Sequence, residues 1–156
     1  MDKVIQGRKN RASGQQFERR VKADLQSKGW IVDRWMSNVG WIISVPKGEE
    51  FFKNGKDNII DKFGRLFSAR PKMLGTKIVN VWTGFPDFIC FKSFSNQHVF
   101  IEPVYEVIGV EVKSNGYLTK EEKDKCKWLL DNNIFSKILI AKKGVKRGEI
   151  VYDEFK

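Results

Sequence analysis

Four consecutive apolar residues, Phe88-Ile89-Cys90-Phe91, follow directly on Gly84-Phe85-Pro86-Asp87. Side chains along a strand alternate between its faces, so an unbroken apolar run suits a strand covered on both sides. Pro86 falls at the beginning, where a sheet tolerates a residue without an N–H. The run therefore predicts a strand over 85–92 inside a sheet that has helices on its faces.

The flanking segments supply those helices. Ser13 and Gln16 form a capping-box pattern, Phe17, Val21 and Leu25 recur as one apolar stripe, and Gly29 stands where a left-handed residue ends a helix. Together they predict a helix over 14–28. Thr119 and Glu122 form a second capping box, followed by Cys126, Leu129, Leu130 and Ile134 on one face. Aromatic and β-branched runs predict further strands at 30–36, 99–101, 107–113, 137–141 and 150–152, with a turn at 93–97. The order α-β-(insert)-β-β-α-β is that of an α/β fold, a mixed β-sheet flanked by helices. A chain of 156 residues with 41% hydrophobic residues fits one domain over 1–156.

Two segments stand apart. Residues 37–80 interleave eight basic and four acidic residues with Trp41, Phe51, Phe52, Phe63 and Phe67. They read as an insertion, with a hairpin around Asn54-Gly55 and a short helix. Residues 1–12 carry Lys3, Arg8, Lys9 and Arg11 against Asp2 and lack apolar periodicity. They are expected to form a basic, mobile arm until something acidic orders them.

The charge balance is 29 Lys plus Arg against 19 Asp plus Glu, a formal +10. Such an excess on a small domain points to a polyanionic partner, usually nucleic acid, with simple solubility as the competing reading. No apolar run approaches the ~20 residues of a membrane span. Cys90 and Cys126 are too far apart for a CxxC site and too few for a disulfide framework. The first residues are basic and polar with no apolar core after them, unlike a secretory signal. An intracellular, reduced protein is expected, in the cytoplasm or, for a viral chain, in that of a host.

The chemistry concentrates at two strand ends. Glu111 and Lys113 alternate with Val110 and Val112, so both charges share one face beside Ser114-Asn115-Gly116. By themselves they are either a half-buried ion pair or a metal ligand and its catalytic partner. Asp87 opens the buried strand, and neighbouring strands lie ~4.8 Å apart. Asp87 and Glu111 could therefore set two carboxylates around one hard cation such as Mg²⁺, which takes oxygen ligands and keeps several waters. On a basic chain that arrangement suits phosphodiester cleavage, with Lys113 orienting or deprotonating the attacking water and holding the phosphate. Zinc is disfavoured because no Cys or His ligands are paired.

Gly84-Phe85-Pro86-Asp87, then Glu111-Val112-Lys113, then Gly116-Tyr117-Leu118-Thr119 resemble the PD-(D/E)XK nuclease superfamily. Gly14, Phe17, Glu18 and Arg19 on the first helix, with Gly29-Trp30 after it, are similar to the archaeal Holliday-junction resolvases and to small viral and phage nucleases of that fold. The resemblance spans 13–36 and 83–142. It implies a restriction-endonuclease-like fold and a Mg²⁺ site, with Mn²⁺ able to substitute, formed by Asp87, Glu111 and the backbone carbonyl of Val112. It further implies Lys113 as general base or water-positioning residue, Glu18 as an acid from the first helix, DNA as substrate and a homodimer. Residues 37–80 are longer than the resemblance leads one to expect. Relatives often carry Gln near Glu122, whose capping role explains it without catalysis.

Phosphate neutralisation supplies most nonspecific affinity for nucleic acid. The basic candidates for it are Arg8, Lys9, Arg11 and Arg19 at the N-terminus, and Lys47, Lys53, Arg65, Arg70 and Lys72 in the insertion. Lys142 and Lys143, late in the chain, extend the set. The sole histidine, His98, reads as a solvated side chain at a turn or strand edge, and Glu102 and Glu106 lack a lysine two residues on. A metal-dependent DNA endonuclease is the leading reading. The others are a catalytically inactive nucleic-acid-binding protein on a nuclease scaffold and a structural or dimerisation module using the aromatic insertion.

Overall fold

The computed structural model describes residues 3–44, 61–69, 71–74, 77–80, 84–93 and 104–156. The chain runs α1 (Lys3–Ser27), β1 (Ile31–Arg34), β2 (Ser37–Ser44), β3 (Asp61–Ser68), β4 (Pro71–Leu74), β5 (Lys77–Asn80), β6 (Phe88–Ser93), β7 (Tyr105–Val112), α2 (Lys120–Asp131), β8 (Lys137–Lys143) and β9 (Ile150–Glu154). Five strands form one sheet in the order β1-β6-β7-β8-β9, while β2 pairs with β3 and β4 with β5 in separate hairpins. Only β7 and β8 are parallel, and α2 makes the crossover between them; the other neighbours in the five-stranded sheet are antiparallel. The fold is mixed α/β.

Each helix covers one face of the sheet. Phe17, Val21 and Leu25 of α1 pack on Val32, Phe88, Cys90, Ile108, Val110 and Ala141. On the other face Cys126 and Leu129 of α2 pack with Phe135, Ile138 and Ile140, and Ile89 and Val107 lean into that layer. The apolar run of β6 thus divides by alternation, Phe88 and Cys90 toward α1 and Ile89 toward α2. Gly29 closes α1 with φ of 83°, a conformation that costs a residue with a Cβ. Leu129 is fully buried, so Leu129→Ala should lower stability by about 2–5 kcal/mol in chemical denaturation. A loss under about 1 kcal/mol would mean the α2 layer is loosely packed.

Three expectations are corrected. Helix α1 begins at Lys3, so the described part of the basic arm is helical and Ser13 lies inside the helix instead of capping it. Periodicity reports burial, and these turns are exposed; they are held by backbone bonding and by local contacts such as Gln6 Nε2 to Asn10 Oδ1 at 2.9 Å. In the insertion, residues 71–74 and 77–80 are strands, and no helix occurs there among the described residues. The pairing expected on either side of Asn54-Gly55 is present as β2–β3, and it packs on the core. Val39 is buried in the α2 layer with Trp41 and Leu66 against it, and Gly64 lies so close to the Trp128 indole that a Cβ would collide. The Asn54-Gly55 tip, the strand expected at 99–101, His98 and Glu102 lie outside the described residues.

Candidate active site

Strands β6 and β7 pair with Phe88 opposite Val110, which brings the residue before β6 beside the residue after Val110. Those residues are Asp87 and Glu111. The Asp87 N–H donates to Glu111 Oε2 at 3.2 Å, and the Val112 N–H donates to Asp87 Oδ2 at 2.8 Å. Each carboxylate is thereby tied to the other strand's backbone. The Asp87 main chain is also fixed from β1, because the Trp35 N–H donates to its carbonyl at 3.1 Å. Phe85 and Pro86, both buried, anchor the approach.

Lys113 follows β7, and its N–H donates to the Ala141 carbonyl at 2.9 Å, which sets its backbone on β8. Its ammonium reaches Glu111 Oε1 at 3.1 Å and Glu122 Oε1 at 2.6 Å. The link between Lys113 and α2 is short and includes Gly116 at φ of 77°, where a residue with a Cβ would be strained. The loop returns the start of α2 directly over the lysine. Glu122 keeps its capping role as well: its Oε2 accepts the Thr119 N–H at 2.8 Å, and its own N–H donates to Thr119 Oγ1 at 3.3 Å. One oxygen caps the helix and the other holds Lys113.

Burial dominates the electrostatics. It pushes the Asp87 carboxyl up to about 6; the Val112 N–H opposes this, Glu18 adds to it, and Lys113 and Arg34 oppose it. Burial, then repulsion from Asp87, pushes the Glu111 carboxyl up to about 8 despite Lys113. For Lys113 itself burial disfavours the charge, but the hydrogen bond with Glu122 and the attraction of Glu111 outweigh it and leave its pKa raised. Glu122 is lowered, because Lys113 and the Thr119 cap outweigh its partial burial. The pair Asp87–Glu111 thus shares a site that disfavours two negative charges, beside a lysine that keeps its proton.

A stability consequence follows. A carboxyl whose folded pKa lies above its unfolded one stabilises the fold at low pH and loses that contribution as pH rises through the folded value. The wild-type protein should therefore lose stability relative to Asp87→Asn between about pH 4 and pH 8. Thermal melts at several pH values check this, and a pH-independent difference would refute the shared burden.

The remaining predicted residues divide. Glu18, on α1, pairs with Arg34 of β1 at 3.2 Å and is felt electrostatically by Asp87, but it does not join a cation-binding cluster. Among the described residues no group of three or more His, Cys, Asp or Glu is arranged to hold a metal ion. Arg8, Lys9, Arg11 and Arg19 are exposed on α1. Arg65 is exposed on β3, over the Phe67 ring at 6.0 Å. Lys142 pairs with Asp153, and Lys143 lies over the Phe17 ring at 5.7 Å, so neither is an unengaged phosphate contact. Lys47, Lys53 and Arg70 lie outside the described residues, as does the side chain of Lys72.

Two residues of the site were not singled out from the sequence. For Glu122 the capping box is a sufficient role in the sequence, although a carboxylate has an oxygen to spare for a lysine. Arg34 carried no signal beyond its charge, and only the packing of α1 against β1 brings it to Glu18. No family model, curated protein or solved structure matches this chain.

Proposed function

We propose that this protein is a metal-dependent DNA endonuclease that hydrolyses phosphodiester bonds, with the five-stranded sheet as a restriction-endonuclease-like core of the PD-(D/E)XK type and β2–β5 as its insertion. The observation that supports it most is the cross-tied pair Asp87 and Glu111, with the Lys113 ammonium 3.1 Å from Glu111, on a chain of formal charge +10. The donor chemistry fits a hard cation. It offers only oxygen, and both carboxyls are raised by burial, a burden that a divalent cation would relieve. Asp87, Glu111 and the Val112 carbonyl would hold Mg²⁺, or Mn²⁺ in its place, with waters completing the shell. When bound, the cation would activate water, polarise the phosphorus and offset charge on the phosphoryl oxygens.

The chain's own side chains do the rest. Lys113 carries a proton at neutral pH, since its pKa is raised, so it serves as a donor that orients the water or steadies the phosphate and not as the base. Glu122 holds that ammonium in place. Glu18 and Arg34 set a paired charge at the rim on the α1 side, where the guanidinium is exposed enough to meet a phosphate. Selectivity for branched DNA of the Holliday-junction kind belongs to the same proposal and calls for a homodimer, because two opposed strands must be cut.

Plasmid, linear duplex, single-stranded and four-way-junction DNA incubated with Mg²⁺, with Mn²⁺ or with chelator test the reading. Cleavage of at least one substrate is expected with either cation and none with chelator. If folded wild-type protein cuts none of them, the nuclease reading fails, and salt-sensitive binding alone would leave an inactive DNA-binding scaffold.

A further inference from the structure

Helix α1 is 25 residues, about 37 Å, yet among its described side chains only Phe17, Val21 and Leu25 are buried. Residues 4–16 are exposed apart from Gly7, and a Cβ at Gly7 or Gly14 would meet open space. The helix therefore extends past the core it covers. At about 100° per residue, Arg8, Arg11, Arg19 and Lys22 fall on one flank of the buried stripe within about 100° of arc, together with Glu18. Lys9 and Arg20 fall on the opposite flank.

The packing fixes which way each flank faces. Glu18 on the first flank pairs with Arg34 of β1 at 3.2 Å, and β1 lies beside β6, whose start carries Asp87. Arg20 on the second donates to the Gly148 carbonyl at 2.5 Å, next to β9 at the far edge of the sheet. The first flank leads to the carboxylate site and the second leads away.

We propose that Arg8, Arg11, Arg19 and Lys22 form a phosphate track for duplex DNA that runs from the carboxylate site along the projecting half of α1. From Arg8 to Lys22 the helix rises about 21 Å, which matches about six base pairs of duplex at ~3.4 Å each. Val4 is the sole large apolar side chain on that flank, so a lipid surface, which takes a continuous apolar face, is the poorer fit. The proposal rests on the nuclease reading in taking the DNA at Asp87 as the track's origin, but its readout is binding and needs no cleavage.

The test is fluorescence anisotropy of a labelled 20-base-pair duplex in chelator from about 50 to 200 mM salt. Arg8→Gln and Arg11→Gln should each weaken binding several-fold and reduce the salt slope by about 0.9, the release expected for one phosphate contact. Lys127→Gln makes the same charge change at an exposed position of α2, on the other face of the sheet, and should stay within about two-fold with its slope unchanged. Circular dichroism establishes that each variant keeps its helix. Equal effects from all three would mean bulk charge alone and overturn the track, as would no effect from any. Loss of binding to phosphatidylserine vesicles with duplex binding intact would overturn it in favour of a membrane. Arginine-specific binding without Mg²⁺-dependent cleavage leaves the track standing and removes the nuclease; cleavage without arginine-specific binding does the reverse.

Discussion

Asp87→Asn and Glu111→Gln should each reduce Mg²⁺-dependent cleavage by about 10³-fold or more while leaving duplex binding in chelator within a few-fold of wild type. The size follows from a cation that contributes several kcal/mol to transition-state stabilisation, since ~4 kcal/mol is about three decades in rate. Binding should survive because phosphate neutralisation by Lys and Arg supplies most nonspecific affinity for nucleic acid. Asp87→Asn has a second, opposite signature. An asparagine oxygen can still accept the Val112 N–H, now 2.8 Å from Asp87 Oδ2, but it no longer repels Glu111. The metal-free variant should therefore be more stable than wild type at pH 8, on the order of 1–2 kcal/mol, given that one unit of pKa shift is 1.36 kcal/mol. Chemical denaturation in chelator, beside a cleavage assay with Mg²⁺, measures both. A variant that loses cleavage, binding and stability together would show Asp87 to be a structural residue.

Such an opposition between stability and activity is what a built site would leave behind. Two buried acids with raised pKa values add nothing to a fold that an apolar pair would not supply better. Asp87 and Glu111 are nevertheless locked by reciprocal backbone hydrogen bonds, at an edge reached by a basic helix.

The sequence carried the sheet core well where local patterns decide it. The run Phe88-Ile89-Cys90-Phe91 demanded cover on both faces, and Phe17, Val21 and Leu25 on one side with Cys126 and Leu129 on the other provide it. The juxtaposition of Asp87 with Glu111 was also legible, because each stands beside an apolar strand residue that needs an apolar partner, and Phe88 meets Val110. What escaped was nonlocal or exposed. Asn54-Gly55 signals a hairpin between its flanking segments, but nothing in residues 37–44 or 61–68 announces that it lays Val39 and Leu66 against α2, since packing on a distant helix has no period of its own. The first turns of α1 have no apolar stripe because they cover nothing, and a helix without a buried face looks like an arm. Glu122 escaped for a different reason: one sufficient role, the cap, concealed a second.

Those two roles of Glu122 can be separated, and the separation gives a sharp expectation for Lys113. Lys113→Met should cost about 10²–10³ in kcat, the usual loss when one preorganised donor to developing charge is removed. Glu122→Gln leaves an oxygen for the Thr119 N–H, since glutamine also completes a capping box, so the helix cap and the melting temperature should hold. It removes the charge that now sits 2.6 Å from the Lys113 ammonium, leaving the lysine to Glu111 alone and in competition with the cation. Positioning partners of this kind are worth about 10–100-fold in activity or metal affinity, and Mn²⁺ titration by calorimetry should show the weaker affinity directly. Thr119→Ala does the reverse: it removes the hydroxyl that accepts the Glu122 N–H, costs about 1 kcal/mol of stability, and leaves the Glu122–Lys113 pair and the rate nearly intact. If instead Glu122→Gln kept full rate and Mn²⁺ affinity, or lost stability in step with activity, its contact with Lys113 would be an ordinary salt bridge over a helix cap, and the lysine would be held in place by Glu111 alone.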